Sequence, residues 1–164
     1  MKHLTLFVLL VLAASFGYGE KENLASADES LDIQRFVGMD LTSSNGSVTF
    51  ILQMDVVGDL LEAREWIAVR SSKAVFENNE EGTLRFEWFL REDRAKAILI
   101  EVFEDSDAAK IRVENLFASP IAAEWQERFT LTNMLVCGEV KTDLIELLEP
   151  MDPQYMNFAA GFQR

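Results

Sequence analysis

The sequence has few of the residues that build disulfides and metal sites. Its 164 residues include one cysteine, Cys137, and one histidine, His3. A single thiol excludes an intrachain disulfide and a cysteine-based zinc site, so we expect no bound metal. Basic residues are also scarce, since 15 Lys and Arg stand against 28 Asp and Glu and the formal net charge is -13. A chain this acidic is repelled by nucleic acid and by anionic lipid, and we expect neither as a partner.

One long apolar run, at 4–16, follows a short polar start that contains Lys2 and His3. Thirteen residues are too few to cross a bilayer, and the pattern is typical of a secretory signal peptide. We therefore predict a signal peptide over 1–19, with cleavage after residue 19 or residue 27, and an exported protein, periplasmic or secreted, without membrane contact after cleavage. An uncleaved anchor or an N-terminal core helix is the alternative. Cleavage removes His3, and with it every form of catalysis that needs histidine.

The remaining chain alternates between strand and helix patterns. A polar lead-in over 20–46 precedes a predicted domain over 47–140, and 141–164 form a C-terminal extension with a short helix at 142–148. We predict strands at 48–55, 83–90, 97–104 and 131–140. The predicted helices run from an Asp59 cap to 78–79, from an Asp105-Ser106 cap to about 117, and from an Ser119-Pro120 start to about 129. This order predicts an α+β domain with the ferredoxin-like split β-α-β-β-α-β arrangement.

Three stretches resemble a known family. They are the run Gly82-Thr83-Leu84-Arg85-Phe86-Glu87-Trp88-Phe89, the run Glu101-Val102-Phe103-Glu104-Asp105-Ser106-Asp107-Ala108-Ala109, and the pair Glu114-Asn115. Together they are similar to the antibiotic-biosynthesis monooxygenase domain, in particular its quinol monooxygenase branch. The resemblance covers about 48–140. It implies a homodimeric α/β barrel, in which two sheets pack face to face, and oxidation of quinols or phenolic compounds by dioxygen without a cofactor.

Two departures from the family pattern narrow this expectation. Many relatives carry a histidine near the Glu-Asn pair, where this chain has Ile111-Arg112-Val113. The haem-degrading relatives need that histidine and a tryptophan on the third strand, where this chain has Phe103. Haem degradation is therefore disfavoured, and we expect no cofactor.

The hairpin between the second and third strands predicts where a pocket lies. If its turn is Asp93-Arg94, Trp88 pairs with Leu99 and Phe86 with Glu101, whereas a three-residue turn regroups the strands. One face then carries Leu84, Phe86, Trp88, Leu99, Glu101 and Phe103, and the other carries Phe89, Ile98, Ile100 and Val102. We expect the aliphatic face to pack on helices, and the aromatic face to line a ligand cavity inside a barrel.

Without histidine, the base that accepts a substrate proton must be a carboxylate. Glu101 is the first candidate, because desolvation among aromatic side chains makes it a stronger base, and Glu87 is the second. We expect Phe86, Trp88 and Phe103 to bind an aromatic substrate, Arg112 to stabilise a phenolate and Asn115 to orient a substrate oxygen. In the alternative, the three aromatic residues are dimer core, and Glu101 pairs with Arg85 or Arg112.

The remaining polar features have simpler interpretations. Cys137 is predicted to be a small core residue, and the acidic run 77–81 a solvated helix end. The function predicted overall is an exported, cofactor-independent monooxygenase that acts on a quinol or phenol. The alternative is a non-catalytic dimer of the same fold that binds a hydrophobic ligand or a partner protein.

Overall fold

Four antiparallel strands form the centre of the structure. A computed structural model describes residues 41–42 and 44–162. The strands are β1 (Val48–Val56), β2 (Thr83–Arg91), β3 (Lys96–Phe103) and β4 (Phe129–Cys137), and a short β5 (Gln154–Met156) extends the sheet. Their order across the sheet is β2-β3-β1-β4-β5. The first four strands have the order of the ferredoxin-like split arrangement, which confirms the predicted fold class.

The connection between β1 and β2 is helical over 60–78. It consists of α1 (Leu60–Trp66), a π-helical turn (Ile67–Ser71) and α2 (Ser72–Asn78). The Asp59 side chain caps α1 by accepting hydrogen bonds from the backbone N–H groups of Leu61 and Glu62, as predicted. Asn79 ends α2 in the left-handed region at φ 47°. The π-helical turn has no signature in the apolar spacing and was not predicted.

The hairpin has the predicted register and a different turn. Phe86 pairs with Glu101 and Trp88 with Leu99. The last ladder pair is Arg91 with Lys96, so the loop holds four residues, not two, and three of them form a 3₁₀ turn, Glu92–Arg94. The register is nevertheless the predicted one, because the predicted two-residue loop and the observed four-residue loop have the same centre, between Asp93 and Arg94. Leu84 was predicted to lie on the aromatic face, and this is wrong. A bulge between 83 and 85 leaves its side chain 58% exposed.

Two helices connect β3 to β4. Asp105 caps α3 (Ser106–Ala118), as predicted. Ser119 was predicted to cap the next helix, but its hydroxyl donates back to the carbonyl of Leu116 and so closes α3 instead. The second helix, α4 (Ile121–Arg128), begins after Pro120 without a side-chain cap. No helix among the described residues is long and apolar enough to cross a membrane, and the predicted signal peptide lies outside them.

The C-terminal extension begins with the predicted helix, α5 (Thr142–Leu148), whose Leu144 and Leu148 are fully buried. Strand β5, which was not predicted, then pairs in parallel with β4. The aromatic residues of the extension lie on the surface, where Tyr155, Phe158 and Phe162 are each at least 39% exposed. The backbone N–H of Gly161 donates to the carbonyl of Leu41 at 2.8 Å, so the two ends of the described chain meet.

The two faces of the sheet have the opposite roles from those predicted. Helices cover the aromatic face. The ring centroids of Trp66 on α1 and Trp88 are 6.4 Å apart, and Arg112 of α3 donates a hydrogen bond to Glu101. The large rings of Phe86 and Trp88 pack against the core between the sheet and the helices. The aliphatic face is the open one, and Ile98 and Phe89 on it are 36% and 48% exposed.

We predict that this open face associates with a second copy of the chain. Sedimentation velocity at micromolar concentration is expected to show twice the monomer mass, because an exposed aliphatic sheet face is unfavourable in water. Ile98→Glu is expected to give monomers, since it places a charge in the centre of the contact. Leu61→Glu, an equivalent change on an exposed position of α1, is expected to leave the dimer intact. A monodisperse wild-type monomer contradicts this prediction.

Candidate active site

A buried ion pair joins the sheet to α3. The Nε atom of Arg112 donates to Oε1 of Glu101 at 2.9 Å, and the two side chains are 6% and 7% exposed. The guanidinium also lies over the ring of Phe86, 5.4 Å from its centroid. Three of the predicted site residues therefore meet at one place. The pairing of Glu101 with Arg112 is the one that the alternative interpretation of the sequence foresaw.

A second carboxylate, which the sequence did not reveal, belongs to the same cluster. Glu80 was included in a predicted solvated run, yet its side chain is 2% exposed, and its Oε2 lies 3.8 Å from Nε of Arg112. Its Oε1 accepts a hydrogen bond from Nδ2 of Asn115 at 3.0 Å, and Thr83 donates to Oε2 at 3.3 Å. We call Glu80, Glu101, Arg112 and Asn115 the buried polar cluster.

The turn that carries Glu80 is held tightly against α3. Gly82 has φ +87°, and a Cβ atom there would lie 2.6 Å from Cβ of Ala108. Its carbonyl accepts a 2.8 Å hydrogen bond from the backbone N–H of Glu104. Only glycine permits both this backbone conformation and this approach. The close contact carries the Glu80 side chain inward, which explains its burial in a run of acidic residues.

A cleft of about 160 Å³ opens between α2 and α3 beside the cluster. Arg112 and Asn115 line it, and so do Arg70, Ala74, Val75, Asn78, Leu116, Ser119, Pro120 and Ile121. No carboxylate is among these lining residues, because Glu80 and Glu101 bond to the cluster's two donors from other sides. A ligand in the cleft would therefore meet hydrogen-bond donors, with carboxylates immediately behind them.

The other predicted site residues lie elsewhere. Phe103 is fully buried and packs edge-to-face on Phe50, 4.9 Å between centroids, so it belongs to the core. Glu87 is 47% exposed on the open sheet face, where it pairs with Arg85. Trp88 packs on Phe129 at 5.0 Å, and its indole Nε1 is buried without a hydrogen-bond partner among the described residues. The cluster thus excludes Glu87 and Phe103, and Trp88 lies next to Phe86.

Burial determines the electrostatics of the cluster. Loss of hydration raises the pKa of the Glu101 carboxyl above its ordinary range, the positive charge of Arg112 opposes this, and the negative charge of Glu80 adds to it. A carboxyl group with a raised pKa is a stronger base when it is ionised. The contacts of Glu101 therefore suit proton transfer better than those of the exposed Glu87.

A second polar network holds α4 against the first helix. Arg70 donates to both carboxylate oxygens of Glu124, to Oε1 through Nη2 at 2.8 Å and to Oε2 through Nε at 3.0 Å. The indole Nε1 of Trp66 donates to the same carboxylate at 2.8 Å. These bonds lower the pKa of Glu124 to about 2. Because Arg70 lines the cleft, the network also orients one wall of the candidate site. Among the described residues, no group of His, Cys, Asp and Glu is arranged to hold a metal ion.

Comparison with known proteins identifies the fold. No family model and no curated protein sequence matches the chain. The structure is similar to that of MupZ from Pseudomonas fluorescens, with a TM-score of 0.60 and 20% identity over 74% of this chain and 92% of MupZ. This similarity confirms the fold of the antibiotic-biosynthesis monooxygenase domain, which the sequence resemblance predicted.

More distant similarities, with TM-scores below 0.5, include SnoaB from Streptomyces nogalater and HapK from Hahella chejuensis. SnoaB, a cofactor-independent oxygenase, has a TM-score of 0.44 and 22% identity over 59% of this chain and 96% of its own. HapK has a TM-score of 0.46 and 16% identity over 58% and 93%.

The Glu124 network predicts a specific sensitivity to acid. Its ionised carboxylate is stabilised in the folded state, so its contribution is present above a pH of about 4.5 and is lost as the pH falls towards about 2. The melting temperature of the wild type is expected to fall through this range more steeply than that of Glu124→Gln. Glu127→Gln, at an exposed position on the same helix, is the control and is expected to behave like the wild type. Parallel curves for wild type and Glu124→Gln contradict the assignment.

Proposed function

We propose that this protein is an exported, cofactor-independent monooxygenase that oxidises a quinol or phenolic compound with dioxygen. The observation that carries the proposal is the cleft beside the buried polar cluster: Arg112 and Asn115 line it as hydrogen-bond donors, and the carboxylate of Glu101 lies behind Arg112 as a candidate base. The fold and the residue resemblance support the reaction class. The predicted signal peptide supports export. We also propose that the protein is a homodimer, and the open sheet face supports this.

The chemistry requires little more than an ionised substrate in a dry site. Glu101 does not line the cleft, so the phenolic hydroxyl group reaches its carboxylate only when the Arg112 side chain moves aside. The hydroxyl group then donates its proton to Glu101, and Arg112 holds the phenolate oxygen that results. Glu101 and the phenolate then bind the same guanidinium, which keeps the proton donor and acceptor within reach of each other. An electron-rich phenolate transfers an electron directly to dioxygen, so the protein has to exclude water and orient the ring.

Atoms and electrons balance without a further reductant. One oxygen atom of dioxygen becomes a new carbonyl oxygen on the ring. The other leaves as water with two hydrogens that the phenol loses, one from its hydroxyl group and one from the ring carbon. The substrate supplies both electron pairs that reduce dioxygen, and it leaves as a quinone.

The second candidate is a non-catalytic protein that binds a hydrophobic ligand or a partner. One observation favours it, because Glu101 and Glu80 already have protein partners, as carboxylates in a purely structural cluster do. Oxygen uptake with a panel of hydroquinones and phenols, in the presence of a chelator and with no added cofactor, separates the two. Uptake that depends on the protein supports the oxygenase, and binding without uptake supports the second candidate.

We predict that Glu101→Gln lowers turnover more than it weakens substrate binding. The amide keeps the shape of the side chain but is not a base, so kcat is expected to fall about a hundredfold or more with a small change in KM. The measurement is the steady-state rate of oxygen consumption. Glu104→Gln, an exposed position on the same segment, is the matched control, and thermal unfolding shows whether each variant folds.

Two further variants make this test sharper. Trp88→Ala is expected to weaken the binding of aromatic substrates indirectly, because Trp88 packs on Phe86, whose ring supports the guanidinium of Arg112 in the cleft wall. The oligomeric state of this variant must be measured alongside. If Glu87→Gln abolishes turnover while Glu101→Gln does not, the reaction takes place on the open sheet face. If neither matters in a protein that consumes oxygen, the substrate enters already ionised and no carboxylate acts as base.

A further inference from the structure

Two carboxylates share one guanidinium beside the cleft. The Nε atom of Arg112 lies 2.9 Å from Glu101 and 3.8 Å from Glu80, and all three side chains are at most 7% exposed. The other cation that lines the cleft, Arg70, is already bound through two nitrogens by Glu124. Every positive charge on the cleft wall is therefore matched, and that of Arg112 is matched twice.

This imbalance determines which ligands the cleft tolerates. With both carboxylates ionised, the cluster carries one excess negative charge, and with one of them protonated it is neutral. An anion beside Arg112 makes the total more negative in either state, and solvent screens such a charge weakly beside side chains as buried as those of Arg112 and Glu80. An uncharged hydroxyl group has no such cost. It accepts a hydrogen bond from Arg112 or Asn115, and its own proton can pass to a carboxylate.

Glu80 is the residue that creates the imbalance. Without its charge, Arg112 and Glu101 form a neutral pair, and an anion that binds Arg112 can be offset by a proton on Glu101. Glu80 is also held in place, since its carboxylate accepts hydrogen bonds from Asn115 and Thr83. Its carboxylate therefore stays beside the guanidinium instead of turning towards water.

We propose that Glu80 is the specificity-determining residue of the cleft, and that it makes the cleft admit uncharged hydroxyl compounds and reject anions of the same shape. This proposal rests on the proposed function only for the position of the ligand, since it concerns binding and not oxidation. Glu80 acts through Arg112 and is a positioning residue, not a catalytic one.

The test compares two ligands of similar shape that differ in charge. At about pH 7, 4-fluorophenol is uncharged, because phenols ionise near pH 10, whereas 4-fluorobenzoate is an anion. Fluorine NMR titration of the full chain measures both dissociation constants. The wild type is expected to bind 4-fluorophenol at least about tenfold more tightly than 4-fluorobenzoate. Glu80→Gln is expected to reduce this ratio by about tenfold, mainly through tighter binding of 4-fluorobenzoate.

Three controls locate the effect. Glu81→Gln makes the same change of charge at the next residue, which is exposed, and is expected to leave the ratio unchanged. Glu80→Asp keeps the charge and is expected to keep the preference for 4-fluorophenol. Ala74→Leu narrows the cleft and is expected to weaken the binding of both ligands.

The proposal is overturned if the wild type binds 4-fluorobenzoate as tightly as 4-fluorophenol, a result that needs no variant to fold. It is overturned also if neither ligand binds, or if Glu81→Gln alters the ratio as much as Glu80→Gln does. Oxygen uptake is measured separately. If the affinity ratios are as expected but the protein consumes no oxygen, this proposal stands and the proposed oxygenase function is wrong. If the protein consumes oxygen but Glu80→Gln has the same affinity ratio as the wild type, the oxygenase function stands and this proposal is wrong.

Discussion

The guanidinium of Arg112 connects a helix, two strands and a turn of this structure. It reaches from α3 to Glu101 on β3, to the ring of Phe86 on β2 and towards Glu80 in the turn before β2. A buried charge that loses its partner typically costs about 3–5 kcal/mol. The helix, the two strands and the turn must therefore keep their positions together, and the close approach of Gly82 to α3 is part of the same requirement.

The same constraint determines which chemistry is open to the protein. Its only histidine, His3, lies in the predicted signal peptide, so acid–base chemistry in a mature protein would fall to carboxylates. Burial places two of them beside one cation, where loss of hydration and the charge of Glu80 raise the pKa of Glu101 against the opposing charge of Arg112. Such a site exchanges protons with an uncharged hydroxyl group more readily than it accepts a new negative charge. The proposed reaction and the proposed ligand preference therefore have one electrostatic origin.

The local pattern of the sequence determined the elements and the strand pairing. Asp59 and Asp105 cap their helices as predicted, because capping depends on residues two or three positions away in the chain. The pairing of Phe86 with Glu101 was also predictable. A hairpin register depends on the centre of the loop, and the predicted two-residue loop has the same centre as the observed four-residue loop. The ferredoxin-like order followed from these elements, because so few connections join them without crossing.

Only the tertiary structure decided which sheet face the helices cover and which acidic residue is buried. Both faces of the hairpin are apolar, so alternation along a strand does not say which one meets a helix, and the contact of Trp66 with Trp88 decides it. Glu80 lies in an acidic run that is typical of a solvated surface, and no nearby residue marks it as buried. Its burial depends on Arg112 and Asn115, more than thirty positions away, and on a turn pressed against α3. A pattern along the chain records local propensity, whereas partners distant in sequence determine where a charge is buried.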